Sequence, residues 1–315
     1  MKNIILLLCV ITCISMGCQQ NTVTQQEVDT AVSGKITISV DETVLPIAQA
    51  EADIFQHQYP KAHLNLRQRS EADCIQDLFN DSCKMIFIGR ALTDKEKAVF
   101  QGQTLDPPHI KVATDAIAIL VNPKNRDTTL NMQQIIDILR GSTTKWQQLN
   151  SNISSDLTLV FDNANSGTVN YLMGLAGVST LPKNAYAAKS NLEAVNYVAS
   201  HENAIGVIGW SWISDSDDPT TQQYLAKTRL VSVAPTGSKD YCKPYQLNLA
   251  EGKYPLSRPV YMIQRERRSG LAAGFMTFVY NEIGQTIILK AGLLPANAAE
   301  RNLEIKTKPM GKVGN

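Results

Sequence analysis

The alternation of short, β-rich apolar runs with stretches of helical periodicity, repeated along almost the whole chain, constrains the fold most. Lys35-Ile36-Thr37-Ile38-Ser39-Val40 alternates as a strand, and after Asp41-Glu42-Thr43 the apolar residues Val44, Ile47, Ile54 and Phe55 fall at helical spacing. His63-Leu64-Asn65-Leu66 reads as a second strand. Ser70-Glu71-Ala72-Asp73 resembles a capping box opening a helix through Ile75, Leu78 and Phe79. Met85-Ile86-Phe87-Ile88 is a continuous apolar run, the mark of a strand buried on both faces. Further strands follow at Ala116–Val121, Leu157–Phe161, Ala204–Trp210 and Pro259–Ile263. Between and after them come helices through Met132, Ile135, Ile136 and Leu139 (stopped by Gly141), from Ser166 through Leu172, through Leu192, Val195 and Val198, and through Leu271, Phe275, Phe278 and Val279. Repeated βα units imply an α/β fold with open, mostly parallel sheets flanked by helices. No fixed-period repeat points to a solenoid.

The N-terminus has a separate logic. Met1-Lys2-Asn3 followed by the apolar run Ile4–Ile14, broken only by Thr12, has the layout of a secretory signal peptide over residues 1–17. It falls short of the roughly 20 apolar residues that span a bilayer, and no later stretch approaches that length, so the remainder reads as soluble. Ile14-Ser15-Met16-Gly17-Cys18 resembles the lipobox of bacterial lipoproteins, in which the cysteine is acylated, although Ser15 stands where that motif usually has leucine. This implies an extracytoplasmic protein held to a membrane through Cys18; one acyl chain alone binds only marginally, but two or three hold stably. An ordinary cleaved signal is the alternative. The polar run Gln19–Gln26 reads as part of a flexible tether over 18–33.

The formal net charge is +1, and loss of Lys2 with the signal brings it to about zero, so nothing in the balance suggests a nucleic-acid partner. Cys74, Cys83 and Cys242 remain in the folded part. A Cys74–Cys83 bridge is permitted in an oxidising compartment, while three scattered thiols without a CxxC pattern read instead as small buried hydrophobes. Of the 4 histidines only His57 and His63 are close in sequence, at no metal-binding spacing. Neither a metal nor another cofactor is expected.

The most informative segment is Leu157–Val169. A strand ends, a small-residue loop follows, and Ser166-Gly167-Thr168 stands where the next helix must begin. An anion there would meet free backbone N–H groups, two hydroxyls and the positive end of the helix dipole. A plain helix cap by Ser166 accounts for the same residues without a ligand. Asp41-Glu42-Thr43-Val44 and Arg69-Ser70-Glu71 repeat the strand-to-helix change through a hydroxyl residue, and several helix N-termini converging at strand ends would build one cleft.

On these residues the chain resembles the phosphate-binding family of ABC-transporter substrate-binding proteins, a two-lobed fold of type II. Ser166-Gly167-Thr168 is similar to the family's Ser-Gly-Thr, and Asp41–Val44 and the turn at Ser70 to its other anion loops. Ile138-Leu139-Arg140-Gly141 with Trp146 matches its "helix, Gly, then Trp" segment. Tyr254-Pro255-Leu256-Ser257-Arg258-Pro259, Gly274-Phe275, Gly284-Gln285 and Ala291–Pro295 resemble its C-terminal signature. The resemblance implies a monomer that does no covalent chemistry. It would clamp phosphate, or a related oxyanion, between lobe 1 (residues 34–113 plus 262–306) and lobe 2 (residues 114–261), hinged near 112–116 and 258–264, and deliver it to an ABC permease. A tail would follow at 307–315.

The expected ligand set is Glu42, Thr43, Ser70, Arg90, Ser166, Gly167 and Thr168. Two positions depart from the pattern: Asp162 stands where the family has arginine, and Arg90 falls at or beside its aspartate. With the charges exchanged, Arg90 would grip the anion and Asp162, Glu42 or Asp41 would accept a phosphate proton. The competing pairing joins Arg90 to Glu42 or Asp162 with no ligand. Arg258 reads as structural. Two other functions compete. A lipoprotein that kept the fold and lost the ligand would have a cleft closed by its own ion pair. A serine hydrolase built on Ser166 would lack the GxSxG elbow and any recognisable triad order.

Overall fold

The computed structural model describes residues 29–149, 151, 153–265 and 267–297. The expected signal over 1–17, the expected acylation site Cys18 and the expected tail over 307–315 lie outside these residues. In chain order the elements are β1 (Gly34–Asp41), a 3-10 turn (Glu42–Val44), α1 (Leu45–Gln58), β2 (Ala62–Arg69), α2 (Glu71–Phe79), β3 (Met85–Ile88), α3 (Asp94–Gly102) and β4 (His109–Val121). The second stretch holds β5 (Thr129–Asn131), α4 (Met132–Leu139), β6 (Thr158–Phe161), α5 (Gly167–Ala176), β7 (Ala185–Ala187), α6 (Asn191–Ser200) and β8 (Ala204–Gly209). After a 3-10 turn at Trp210–Trp212 come α7 (Pro219–Lys227), β9 (Arg229–Leu230), β10 (Ser232–Ala234), α8 (Gln246–Ala250), β11 (Ser257–Gln264), α9 (Leu271–Tyr280), α10 (Glu282–Lys290) and β12 (Leu294–Pro295).

The main sheet runs β2-β1-β3-β11-β4-β8-β6-β7, with β9 and β12 added to β4. Its outer strands are parallel, as the βα pattern demands: β1 with β2 and β3, and β6 with β7 and β8. Its middle is not, so the sheet as a whole is mixed. β11 runs antiparallel to β3 and to β4, and β4 antiparallel to β8. The reason is topological: β4 carries the chain out of the first core and β11 carries it back, so the two must lie in opposite directions.

The cores divide on the same two strands. One apolar cluster draws its buried residues from Ala116 to Leu256, among them Ile119, Trp146, Phe161, Leu172 and Val207. The other side packs Ile38, Phe55, Phe87, Val260 and Phe275, with a satellite around Cys74, Leu78, Phe100 and Ile263. Cys74 and Cys83 are buried free thiols, in line with their reading as small hydrophobes.

Local signals explain several helix ends. Asn131 and Gln134 form a reciprocal capping box on α4, and Thr93 with Glu96 does the same for α3. At α2 the cap is simpler than the sequence suggests: Ser70 Oγ accepts from Asp73 N–H at 3.2 Å. Residues 29–33 lie against the folded part of the chain. Asp29 Oδ1 accepts from Leu271 N–H at 2.8 Å, capping α9, whose N-cap Gly270 has no side chain to do so. A Cβ on Gly274 would overlap the Ala31 carbonyl, so the segment lies directly on that helix.

Where β4 and β11 cross between the cores, Arg258 stands opposite Asp115 in the strand register. Its Nε and Nη2 donate to Asp115 Oδ2 at 3.2 and 2.9 Å, and both side chains are buried. Asp115 Oδ1 also accepts from Ser211 N–H at 3.2 Å, which ties the crossing to the end of β8. Removing one partner of such a pair strands the other charge. Asp115→Ala is therefore expected to lower unfolding free energy by about 3–5 kcal/mol in urea titration, far more than a surface pair would.

Candidate functional site

The C-terminal ends of β1, β3, β6 and β8 meet in one region between the cores, and the first turns of α2, α5 and α6 face it. β1 shows the local logic: its early residues alternate buried and exposed, whereas Ile38 through Asp41 are all buried, so the strand passes from a half-solvated edge into the junction. There the chain turns through Glu42–Val44, with Asp41 Oδ1 accepting from Thr43 N–H at 3.3 Å and Oδ2 from Thr43 Oγ1 at 2.8 Å.

On the opposite side Ser166 caps α5, its Oγ accepting from Val169 N–H at 3.2 Å while donating to Asp162 Oδ1 at 2.7 Å. Gly167 follows, and its missing side chain matters. A Cβ there would overlap Asp41 Oδ2 and come within 3.0 Å of Glu71 Oε2, so only glycine admits both carboxyls to the first turn of α5. The Thr168 hydroxyl is buried with no partner.

The predicted residues fall into two groups. Glu42, Thr43, Ser166, Gly167 and Thr168 gather at the junction. Glu42 Oε1 accepts from Asn191 Nδ2 at 3.3 Å, and the Glu42 and Thr43 carbonyls accept from Trp212 Nε1 at 2.9 Å and Ser211 Oγ at 2.8 Å. Ser70 and Arg90 are engaged elsewhere. Ser70 Oγ is taken up by its helix cap. Arg90 places Nε 2.9 Å from Glu71 Oε1 and sets Nη1 and Nη2 on the two Glu96 oxygens at 2.8 and 2.9 Å, so its ion pairs involve neither Glu42 nor Asp162.

Sequence reasoning missed Glu71, Asn170, Asn191 and Asp115 altogether. Glu71 could have been found, because it occupies the first helical position after a cap residue at a strand end, the same context that singled out Ser166. Asn170 and Asn191 are polar residues on helices of another core, and no local signal marks them.

The electrostatics are unusual for an anion site. Asp41, Glu42, Glu71 and Asp162 are all buried here. Burial lifts the Asp41 carboxyl to about 6, against the lowering effect of Arg258, and lifts Asp162 to about 7, against its bond from Ser166. Burial raises Glu42 too, though Gln68 and Asn191 oppose it. Arg258 stays charged: burial works against it, but the carboxylates of Asp115 and Asp41 outweigh that cost. Four groups at the junction end without partners among the described residues: the Thr168 hydroxyl and Arg258 Nη1, which can donate, Asp162 Oδ2, which in its ionised form can only accept, and the Asn191 amide oxygen, an acceptor. Among the described residues no cluster of His, Cys, Asp and Glu is arranged to hold a metal ion.

The family described as the PBP superfamily domain matches residues 25–282. Phosphate-binding protein PstS of Pseudomonas aeruginosa is 24% identical over 293 residues, covering 87% of each chain. A putative phosphate ABC transporter substrate-binding protein from Clostridium perfringens, solved with bound phosphate, superposes with a TM-score of 0.71 at 24% identity, over 84% of this chain and 100% of its own. An ABC-type phosphate transport receptor from Vibrio cholerae gives 0.65 at 23% identity, over 83% and 100%.

Asp162 offers a direct check on the electrostatics. Its folded carboxyl holds a proton more tightly than the unfolded one, whose ordinary value is 3.8. Its contribution to stability is therefore complete below about pH 4 and is lost as pH rises through about 7. Asp162→Asn, which keeps an acceptor for Ser166, is expected to raise the melting temperature at pH 8 and to leave it nearly unchanged below about pH 4, as measured by calorimetry.

Proposed function

We propose that this chain, which belongs to the PBP superfamily, is an extracytoplasmic solute-binding protein that captures a small oxyanion, phosphate first, by closing two lobes on it for an ABC importer. The observation that carries the reading is the set of unsatisfied groups at the junction. Two buried donors, Thr168 Oγ1 and Arg258 Nη1, stand unpaired among the described residues together with two buried acceptors, Asp162 Oδ2 and Asn191 Oδ1. Buried polar groups are otherwise almost always paired, and hydrogen phosphate complements this set because it brings acceptor oxygens and one donor. Sulfate at neutral pH brings no donor and leaves Asp162 opposed by a second negative charge.

The placement fits the mechanism. Thr168 sits on the first turn of α5, on one core, while Glu42 and Thr43 extend β1, on the other. Arg258 and Asp115 lie on the strands that join them. Lobe closure is then a change of angle about the β4–β11 crossing, and it surrounds the anion with donors while excluding water. The relatives named for phosphate binding supply the choice of anion. The leader and lipobox pattern supports export and an acyl anchor on Cys18, with the protein acting as a monomer. Ser166 is held as a helix cap, its hydroxyl bound between Asp162 and the Val169 amide, which gives no support to a hydrolase.

One observation favours the ligand-free reading instead: carboxyls of Asp41 and Glu71 already lie against Gly167. Calorimetric titration separates the two. The protein, stripped of carried-over ligand by partial unfolding, is expected to release or absorb heat with phosphate and not with sulfate. Thr168→Val is expected to weaken phosphate binding by about tenfold, the effect of one lost hydrogen bond to a charged group. Absence of heat with both anions would establish the ligand-free protein. In cells, Cys18→Ser is expected to move the protein from the membrane fraction to the soluble fraction.

A further inference from the structure

A solute holds a two-lobed protein shut because its oxygens bond to both lobes at once. In this structure a side chain already does so. Glu71, at the first position of α2, belongs to the core that contains β1 and β3, and it is 3% exposed. Its Oε1 lies 2.9 Å from Arg90 Nε on its own side and 3.3 Å from Asn170 Nδ2 on α5, across the junction. Its Oε2 comes within 3.0 Å of the point where a Cβ on Gly167 would stand, over the first turn of α5. A carboxylate at a helix N-terminus is favoured by the helix dipole much as an external anion is.

The supporting contacts hold it in that position. Arg90 cannot swing away, because Glu96 grips its two terminal nitrogens, and Glu96 is itself fixed by the capping box of α3. Glu71 therefore has a rigid cation behind it and a helix end in front. Asp41 also reaches Gly167, but its bonds to Thr43 stay within one turn of its own lobe and join nothing across the junction.

We propose that Glu71 is a built-in anion. Its carboxylate stands over the Ser166-Gly167-Thr168 turn in the place of a free oxyanion and latches the lobes when no solute is present, so an incoming oxyanion binds only by displacing it. Glu71 thereby sets the affinity of the site. The inference rests on the oxyanion-capture reading. It adds that the measured dissociation constant is the intrinsic one divided by the small fraction of molecules in which the carboxylate has withdrawn.

The test combines small-angle scattering without solute and calorimetric titration with phosphate, on the wild-type protein, Glu71→Ala and Asn170→Ala. Wild type is expected to be compact without phosphate and to change little on adding it. Glu71→Ala is expected to be expanded without phosphate, to contract on adding it, and to bind it at least about tenfold more tightly, as removal of a competing closed state requires. Asn170→Ala removes the partner across the junction at an exposed position, and it should also expand, which keeps the test open if Glu71→Ala fails to fold. An expanded solute-free wild type would overturn the latch. So would a Glu71→Ala that stays compact, or one that opens and binds phosphate measurably but no more tightly than wild type. If Glu71→Ala opens but millimolar phosphate gives neither heat nor contraction, the latch stands and oxyanion capture falls.

Discussion

Everything else in the molecule is arranged around one buried ion pair, Arg258 with Asp115, set opposite each other on the two strands that pass between the cores. A guanidinium taken out of water is tolerable only with a charge beside it, and here that charge comes from the adjacent strand. The pair pins the register of β4 against β11 beside the bulge at Val260 and Tyr261. Through Ser211 it also fixes where β8 ends. A third of the guanidinium is left over, and Nη1 reaches the junction unpaired. One side chain thus holds two paired nitrogens and one free one.

The second organising fact is the surplus of carboxyls at the junction. Four buried acids surround a helix N-terminus, and the protein tolerates them in three ways. Asp41 and Asp162 have carboxyls whose affinity for protons rises toward neutrality. Glu71 is neutralised by Arg90. Glu42 draws on amide donors from the facing side, including Asn191. Each solution is local, but all of them work only while the lobes are together, because burial, the α5 turn and the asparagines come from opposite sides of the junction.

The outer strands and their helices were legible in the sequence because each carries its own signal, as in the alternation of Ile36, Ile38 and Val40 or the apolar run of Met85–Ile88. The antiparallel middle was not, since β4 and β11 read as ordinary buried strands and direction is decided by where the chain must go next. Helix α3 was missed although Thr93 and Glu96 spell a capping box, because Val99 and Phe100 give too few apolar positions to show a period. At the site, Ser166-Gly167-Thr168 stood out through its place between strand and helix. The pairing of Arg90 was not readable: Glu42, Asp162, Glu71 and Glu96 are all acids within reach in principle, and only the packing of α2 and α3 selects the last two. Local chemistry names candidates; distances across the junction choose among them.

The docking of residues 29–33 on α9 has a mechanical consequence. Asp29 holds the helix end and Ala31 lies against Gly274, so residues 29–33 are held by the core that contains α9. Any pull or restraint arriving through that segment is borne by the lobe that contains α9. The core that carries α5 makes none of these contacts itself and takes its position through the β4–β11 crossing and the bonds at the junction.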